Sequence, residues 1–167
     1  MKKYLLLLTV LIFLFSTSYS VSAESLPDGF GDLKFGNPVP EELIGKDKAK
    51  IANHNKNYSI RTDRRDNFFG IDVKWIDYSF VNDVFYEASF ETDAMSIDQY
   101  KNLVAQVSAR YGPPLLSGSL IQGEIIDLWQ HDGKSLRFHT ASVSNNMTIV
   151  VEISQITNDM KCSCIQP

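Results

Sequence analysis

Only one stretch of this chain reads as a long helix, and most of its other apolar stretches alternate with the period of a strand. Ser96 can cap a helix, and Gln99, three residues on, completes a capping box. Ile97, Tyr100, Leu103, Val104, Val107 and Tyr111 then recur on one helical face. Gly112 ends the run, and Pro113-Pro114 bars its continuation. A lone amphipathic helix must bury its apolar stripe, and a sheet is what the rest of the chain offers. The expected fold is therefore α+β. It has two layers, an antiparallel sheet of about five to six strands with one main amphipathic helix packed on one face.

Residues 58–62, 71–80, 84–92, 120–130, 134–140 and 147–156 read as strands, rich in aromatic and β-branched residues. Residues 26–36 read as a structured loop or short edge strand, and residues 37–45 as one or two helical turns. Residues 46–57 and 115–119 read as loops. A three-residue loop at Val81-Asn82-Asp83 pairs Phe80 with Val84, Tyr78 with Tyr86 and Ile76 with Ala88. A similar loop at His131-Asp132-Gly133 pairs Leu128 with Leu136 and Ile126 with Phe138. Met147, Ile149, Val151 and Ile153 alternate toward the interior. This parity sends Trp75, Phe85, Trp129, Arg137 and His139 to the sheet face opposite the helix. Aromatics beside a few polar groups are the usual makings of a recognition surface, so these five are the candidate ligand-binding residues. The 26–44 segment, a partner protein or a ligand could cover them.

The first 23 residues carry a second message. Lys2 and Lys3 precede an apolar run from residue 4 to 15, then a small polar stretch ending Val21-Ser22-Ala23. That order is a secretory signal peptide with cleavage after Ala23. The apolar run is shorter than the ~20 residues a bilayer span needs. Removing the segment takes two of the 16 Lys+Arg and none of the 20 Asp+Glu, moving the net charge from −4 to −6. An acidic chain is a poor partner for nucleic acid or anionic lipid. The expected organisation is a signal peptide at 1–23, a single α+β domain at 24–156 and a tail at 157–167. The expected location is secreted, in a bacterial periplasm, with no stable membrane anchor.

The motifs of familiar chemistry are missing. His54, His131 and His139 form no His-Glu-x-x-His pair and neighbour no cysteine at zinc spacing. There is no Gly-x-Ser-x-Gly elbow, phosphate loop or dinucleotide fingerprint. No catalytic residue, metal site or cofactor is expected, although a site assembled from distant residues leaves no such trace. Arg61, Arg64 and Arg65 could grip a carboxylate or phosphate, but Asp63 and Asp66 among them mark a solvated turn. Cys162 and Cys164 could form a redox pair, a copper(I) pair or an intermolecular bridge, or simply oxidise to each other in a mobile tail.

Phe30-Gly-Asp-Leu-Lys-Phe-Gly36, the Tyr/Phe-rich hairpin, and a helix ending Arg110-Tyr-Gly-Pro113 resemble features of uncharacterised exported bacterial proteins. Those proteins share a Phe-Gly-x-Leu-x-(Phe/Trp)-Gly opening and a helix ending in Tyr-Gly-x-Pro. The helix and following strands also resemble, loosely, small β-lactamase-inhibitor-type and outer-membrane-assembly modules. The resemblance implies no particular activity. Together these features lead us to expect a secreted, non-catalytic binding or protein-interaction module, whose partner is another protein or a small envelope ligand. The alternatives are an inhibitor of an extracellular or host hydrolase, and a hydrolase with a dispersed site.

Overall fold

The computed structural model describes residues 23–43, 48–49, 57–62, 66–119, 124–140 and 146–156. Residues 1–22 of the expected signal peptide at 1–23, together with His54, Arg64, Arg65 and the Cys162/Cys164 tail, lie outside the described residues.

A small hairpin comes first, β1 (Gly29–Phe30) with β2 (Leu33–Lys34), followed by a 3₁₀ turn at Glu41–Leu43. Gly29 is required there, because a Cβ would fall 1.9 Å from the Leu33 carbonyl oxygen. The strands β3 (Lys48–Ala49), β4 (Asn57–Thr62), β5 (Asp66–Phe68), β6 (Ile71–Val81) and β7 (Val84–Thr92) precede helix α1 (Ile97–Tyr111). The strands β8 (Leu116–Ser119), β9 (Ile125–His131), β10 (Lys134–Thr140) and β11 (Val150–Gln155) follow it. The main sheet is antiparallel, in the order β3-β4-β6-β7-β11-β10-β9-β8, with β5 also paired to β6. The last strand thus lies in the middle and joins two hairpins that are far apart in sequence.

The α+β architecture holds, but the sheet has about eight strands rather than five to six. The extra strands are short. Two-residue β3 shows no periodicity, and four-residue β8 is Leu-Ser-Gly-Ser, whose composition reads as loop. α1 carries the expected caps. Ser96 Oγ accepts from the Gln99 N–H, Gln99 Oε1 accepts from the Ser96 N–H, and Gly112 closes the helix at φ 87°. Tyr100, Leu103 and Val107 are its buried residues. Met147, Ile149, Val151 and Ile153 are all buried, as their alternation requires.

The hairpin registers differ from the expected ones. Both turns have two residues, not three, with both residues left-handed. Asn82 and Asp83 have φ 53° and 65°, and Asp132 and Gly133 have φ 49° and 73°. This geometry matches the twist of the flanking strands. Val81 therefore pairs with Val84 and Phe80 with Phe85, while His131 pairs with Lys134 and Trp129 with Leu136. An irregularity beyond Phe80 skips Tyr86 and sets Ser79 opposite Glu87 and Tyr78 opposite Ala88. The bulge lets a two-residue turn coexist with a consistent apolar face.

Both layers of cover lie on that one face. Phe30 stacks on Phe90 at 4.5 Å, and Phe35 stacks on Phe85 at 5.2 Å. The backbone locks this segment in place. The Gly36 N–H donates to the Phe85 carbonyl at 2.9 Å, and the Phe85 N–H donates to the Asn37 carbonyl at 2.9 Å. α1 is tied to β9 at two points. The Trp129 indole N–H donates to the Gly112 carbonyl at 2.9 Å. The Tyr100 hydroxyl donates to Asp127, a buried carboxylate that also accepts from the Ser117 hydroxyl. Burial, with the Asp127 bond next, pushes the Tyr100 phenol well above its usual range.

A buried carboxylate that loses a donor keeps its desolvation cost, so Tyr100→Phe should lower stability by about 1–3 kcal/mol. Asp127→Leu should also destabilise, and the double variant should cost less than the two single losses added together. Urea titrations of all four proteins give the coupling. Strict additivity would show that the Tyr100–Asp127 bond does not couple helix to sheet.

Candidate functional site

From β4 to β10 the face of the sheet away from α1 is mostly polar, giving way to Ile126 and Leu128 on β9, and the strand registers arrange it in rows. Arg61 on β4 pairs with Asp77 on β6, Asp77 with Ser89 on β7, Ser89 with Glu152 on β11, and Glu152 with Arg137 on β10. These five residues form one line across five strands. The adjacent line runs Ser59, Ser79, Glu87, Ser154, Ser135 and Gln130. One charged row therefore lies beside a row of four serines that flank the Glu87 carboxylate and end at the Gln130 amide.

The charged row is internally paired. Arg61 grips Asp77 with two hydrogen bonds, Nε to Oδ1 at 2.8 Å and Nη2 to Oδ2 at 2.6 Å. Its guanidinium also lies 4.2 Å from the centre of the Trp75 ring, so the indole forms one wall of this pair. At the other end Glu152 faces the Arg137 guanidinium and the His139 imidazole. Arg137 Nη1 is 3.2 Å from Oε2, and His139 Nε2 is 3.4 Å from Oε1, an ion pair only when the ring is protonated. His139 Nε2 has no hydrogen-bond partner. These side chains are partly solvated, with exposures of 21% for Asp77, 29% for Glu152, 31% for His139 and 41% for Arg137.

Glu87 is the anomalous group. Burial, then the charge of Glu152, pushes its carboxyl up to about 7. A hydrogen bond with Ser79 and the charge of Arg137 act in the opposite direction without offsetting this. In the same row Ser135 and Ser154 share a hydrogen bond of 2.8 Å. Tyr86, displaced by the bulge, has its phenol raised by burial.

Three of the five residues expected on this face are there, namely Trp75, Arg137 and His139. Phe85 and Trp129 are not. They are 0% and 2% exposed in the core, Phe85 against Phe35 and Trp129 edge-on to Phe138 at 5.0 Å. The two-residue turns reverse their parity, and the 26–43 segment covers Phe85 on the helix side. Sequence reasoning missed Glu87, Glu152 and Asp77. The alternation of Glu87, Ser89 and Glu91 with Ala88 and Phe90 was the available signal, but their partners depend on a sheet order that no local pattern shows. Arg61 belongs to an ion pair rather than to a free basic cluster. Among the described residues, no group of three or more His, Cys, Asp or Glu is placed to hold a metal ion. No described helix is long and apolar enough to cross a membrane.

Neither a protein family, nor a curated protein, nor a solved structure matches this chain. The functional reading therefore rests on the geometry.

A carboxyl raised by folding favours the native state while protonated and opposes it once ionised. Relative to a neutral residue, Glu87 should cost nothing below its ordinary value of 4.5 and its full amount above about 7. With partial solvent screening, Glu87→Gln should gain on the order of 1–2 kcal/mol over the parent near pH 8, and nothing near pH 4. Denaturant titrations at the two pH values check the sign. A gain equal at both would show that burial of the ionised form is not what Glu87 contributes.

Proposed function

We propose that this chain is an exported, non-catalytic binding module that engages another protein through the outward rows of its sheet. The observation that supports this most is the line Arg61–Asp77–Ser89–Glu152–Arg137, which sets two carboxylates between two guanidinium groups across five strands beside Trp75. Such a surface selects a partner by matching both signs of charge, and its Trp and Arg are the residue types that anchor interfaces. An extracellular or host hydrolase is one class of partner, which would make the module an inhibitor.

Catalysis is the second reading, and Glu87 is the observation that favours it. A carboxyl titrating at about 7, with a second carboxylate paired to Arg137 on the same face, has the makings of an acid–base pair. Binding is favoured because the two stand in rows on a sheet rather than in a cleft, and catalytic groups need an enclosing site to position a substrate.

Export is part of this proposal. The Glu24 backbone N–H donates to the Arg110 carbonyl at 2.8 Å, and the Glu24 carboxylate accepts from Arg110 Nε at 2.7 Å. Cleavage after Ala23 would turn that N–H into an ammonium at the negative end of the α1 dipole, a favourable position. The intact mass of exported protein should correspond to a chain starting at Glu24. Full-length chain retained in the membrane fraction would contradict this.

A photoreactive residue in place of Ser89 tests the interface in cells exporting the chain. A discrete protein adduct is expected, and Trp75→Ala/Arg137→Ala should abolish it while the fold persists. An unchanged adduct in the double variant, or none in the parent, would rule the row out as the interface.

A further inference from the structure

A second feature lies on the opposite side of the molecule, along the edge of α1. Two open grooves flank the β5–β6 turn, of about 550 Å³ and 280 Å³, and Phe69 lines both. The larger groove takes Gln99, Asn102 and Gln106 from α1, together with Ile71 and Asp93. The smaller takes Phe30, Phe68, Arg110 and Tyr111. Gln99, Asn102, Gln106 and Arg110 follow one another at helical spacing, so the two grooves run along one side of the helix. A helix of 15 residues extends for roughly 22 Å.

Phe69 occupies a position its side chain disfavours. Phe68 pairs with Ile71, leaving a two-residue turn in which Phe69 has φ 51° and Gly70 φ 81°. Such a turn favours Asn-Gly, and a bulky residue at positive φ is a genuine outlier. The ring is held edge-on to Phe68 at 4.9 Å and to Tyr111 at 6.0 Å. It is half-buried, packing against the edge of the core while also lining both grooves. Strain of this kind is concentrated at sites where a ligand makes the side chain useful.

The lining specifies the ligand chemistry. Asn102 and Gln106 are amides, each able to donate and to accept, which complements hydroxyl groups that do both, while the Gln99 carbonyl oxygen is held by the Ser96 N–H. The charged groups at the two ends are already paired. Asp93 lies 3.5 Å from Lys74, and Arg110 is bonded to Glu24. Neutral, bifunctional polar groups beside aromatic rings suit a chain that is hydroxylated at its edges and apolar on its ring faces. We propose that this trough binds a neutral oligosaccharide, with Phe69 as the stacking platform and Asn102 and Gln106 as the hydrogen-bonding groups.

The test is a titration of the exported chain with tetra-N-acetylchitotetraose and with cellotetraose, followed by amide chemical shifts and calorimetry. Saturable shifts confined to α1 and the 67–71 turn are expected with at least one of them. Phe69→Asn restores the preferred turn residue and removes only the ring. It should keep or raise the melting temperature and weaken binding at least tenfold. Asn102→Ala/Gln106→Ala should weaken binding similarly, whereas Lys101→Ala, elsewhere on the helix, should not. No saturable shift with either sugar would overturn the proposal. So would shifts centred on the opposite sheet face, or undiminished affinity in Phe69→Asn or in the amide double variant.

Discussion

Two left-handed turns decide what this molecule shows to solvent. Asn82-Asp83 and Asp132-Gly133 each reverse the chain with both residues at positive φ, and so each hairpin closes in two residues. A strand has a side-chain period of two, so one residue more or less in either turn would exchange its inner and outer sets. With these turns, Phe85 and Trp129 point into the core. The bulge at Tyr86 preserves this arrangement along β6 and β7, keeping Tyr78 opposite Ala88 and Ile76 opposite Phe90. Aromatic cover and charged rows are thereby separated onto the two faces of one sheet.

The rows also depend on the central position of β11. Glu152 meets Ser89 on one side and Arg137 on the other because β11 lies between β7 and β10. Without that strand the Arg61–Asp77 pair and the Arg137 end would belong to two unconnected hairpins. The core side shows the same logic of distant parts held together. α1 is fastened to β9 through Asp127 and Trp129, and residues 26–43 are fastened to β7 through Phe35 and Phe85. Most of these contacts join segments far apart in sequence, a topology that folds slowly for its size because loop closure precedes the stabilising pairings.

Much of the fold could be read from local pattern. The capping box, the Gly112 stop, the buried stripe of α1 and the inward alternation through Met147, Ile149, Val151 and Ile153 all follow from spacing alone. The turns were harder. Asp132-Gly133 carries the two-residue signal outright, but counting His131 into the loop gave the competing register. Asn82-Asp83 lacks the glycine, and a two-residue turn without the bulge would oppose Ser79 to Tyr86 and mix the two faces. The edge strands β3 and β8 were illegible because so few residues pair. At the candidate site, Trp75, Arg137 and His139 were read onto the outward face, while Phe85 and Trp129 were lost to the wrong parity. The outward position of Glu87 could be read from alternation, but its coupling to Glu152 could not, since it exists only across strands 65 residues apart in the chain, from position 87 to 152.

The division of the sheet into an aromatic inner face and a charged outer face carries the whole account, and the two tryptophans report on it directly. Trp129→Phe leaves only Trp75 to fluoresce, and Trp75→Phe leaves only Trp129. Acrylamide quenching of the folded proteins should reach Trp75 readily and leave Trp129 almost untouched. Ready quenching of both would mean that the 131–134 hairpin closes in the other register, and a shielded Trp75 with an accessible Trp129 would contradict the division of the two faces itself.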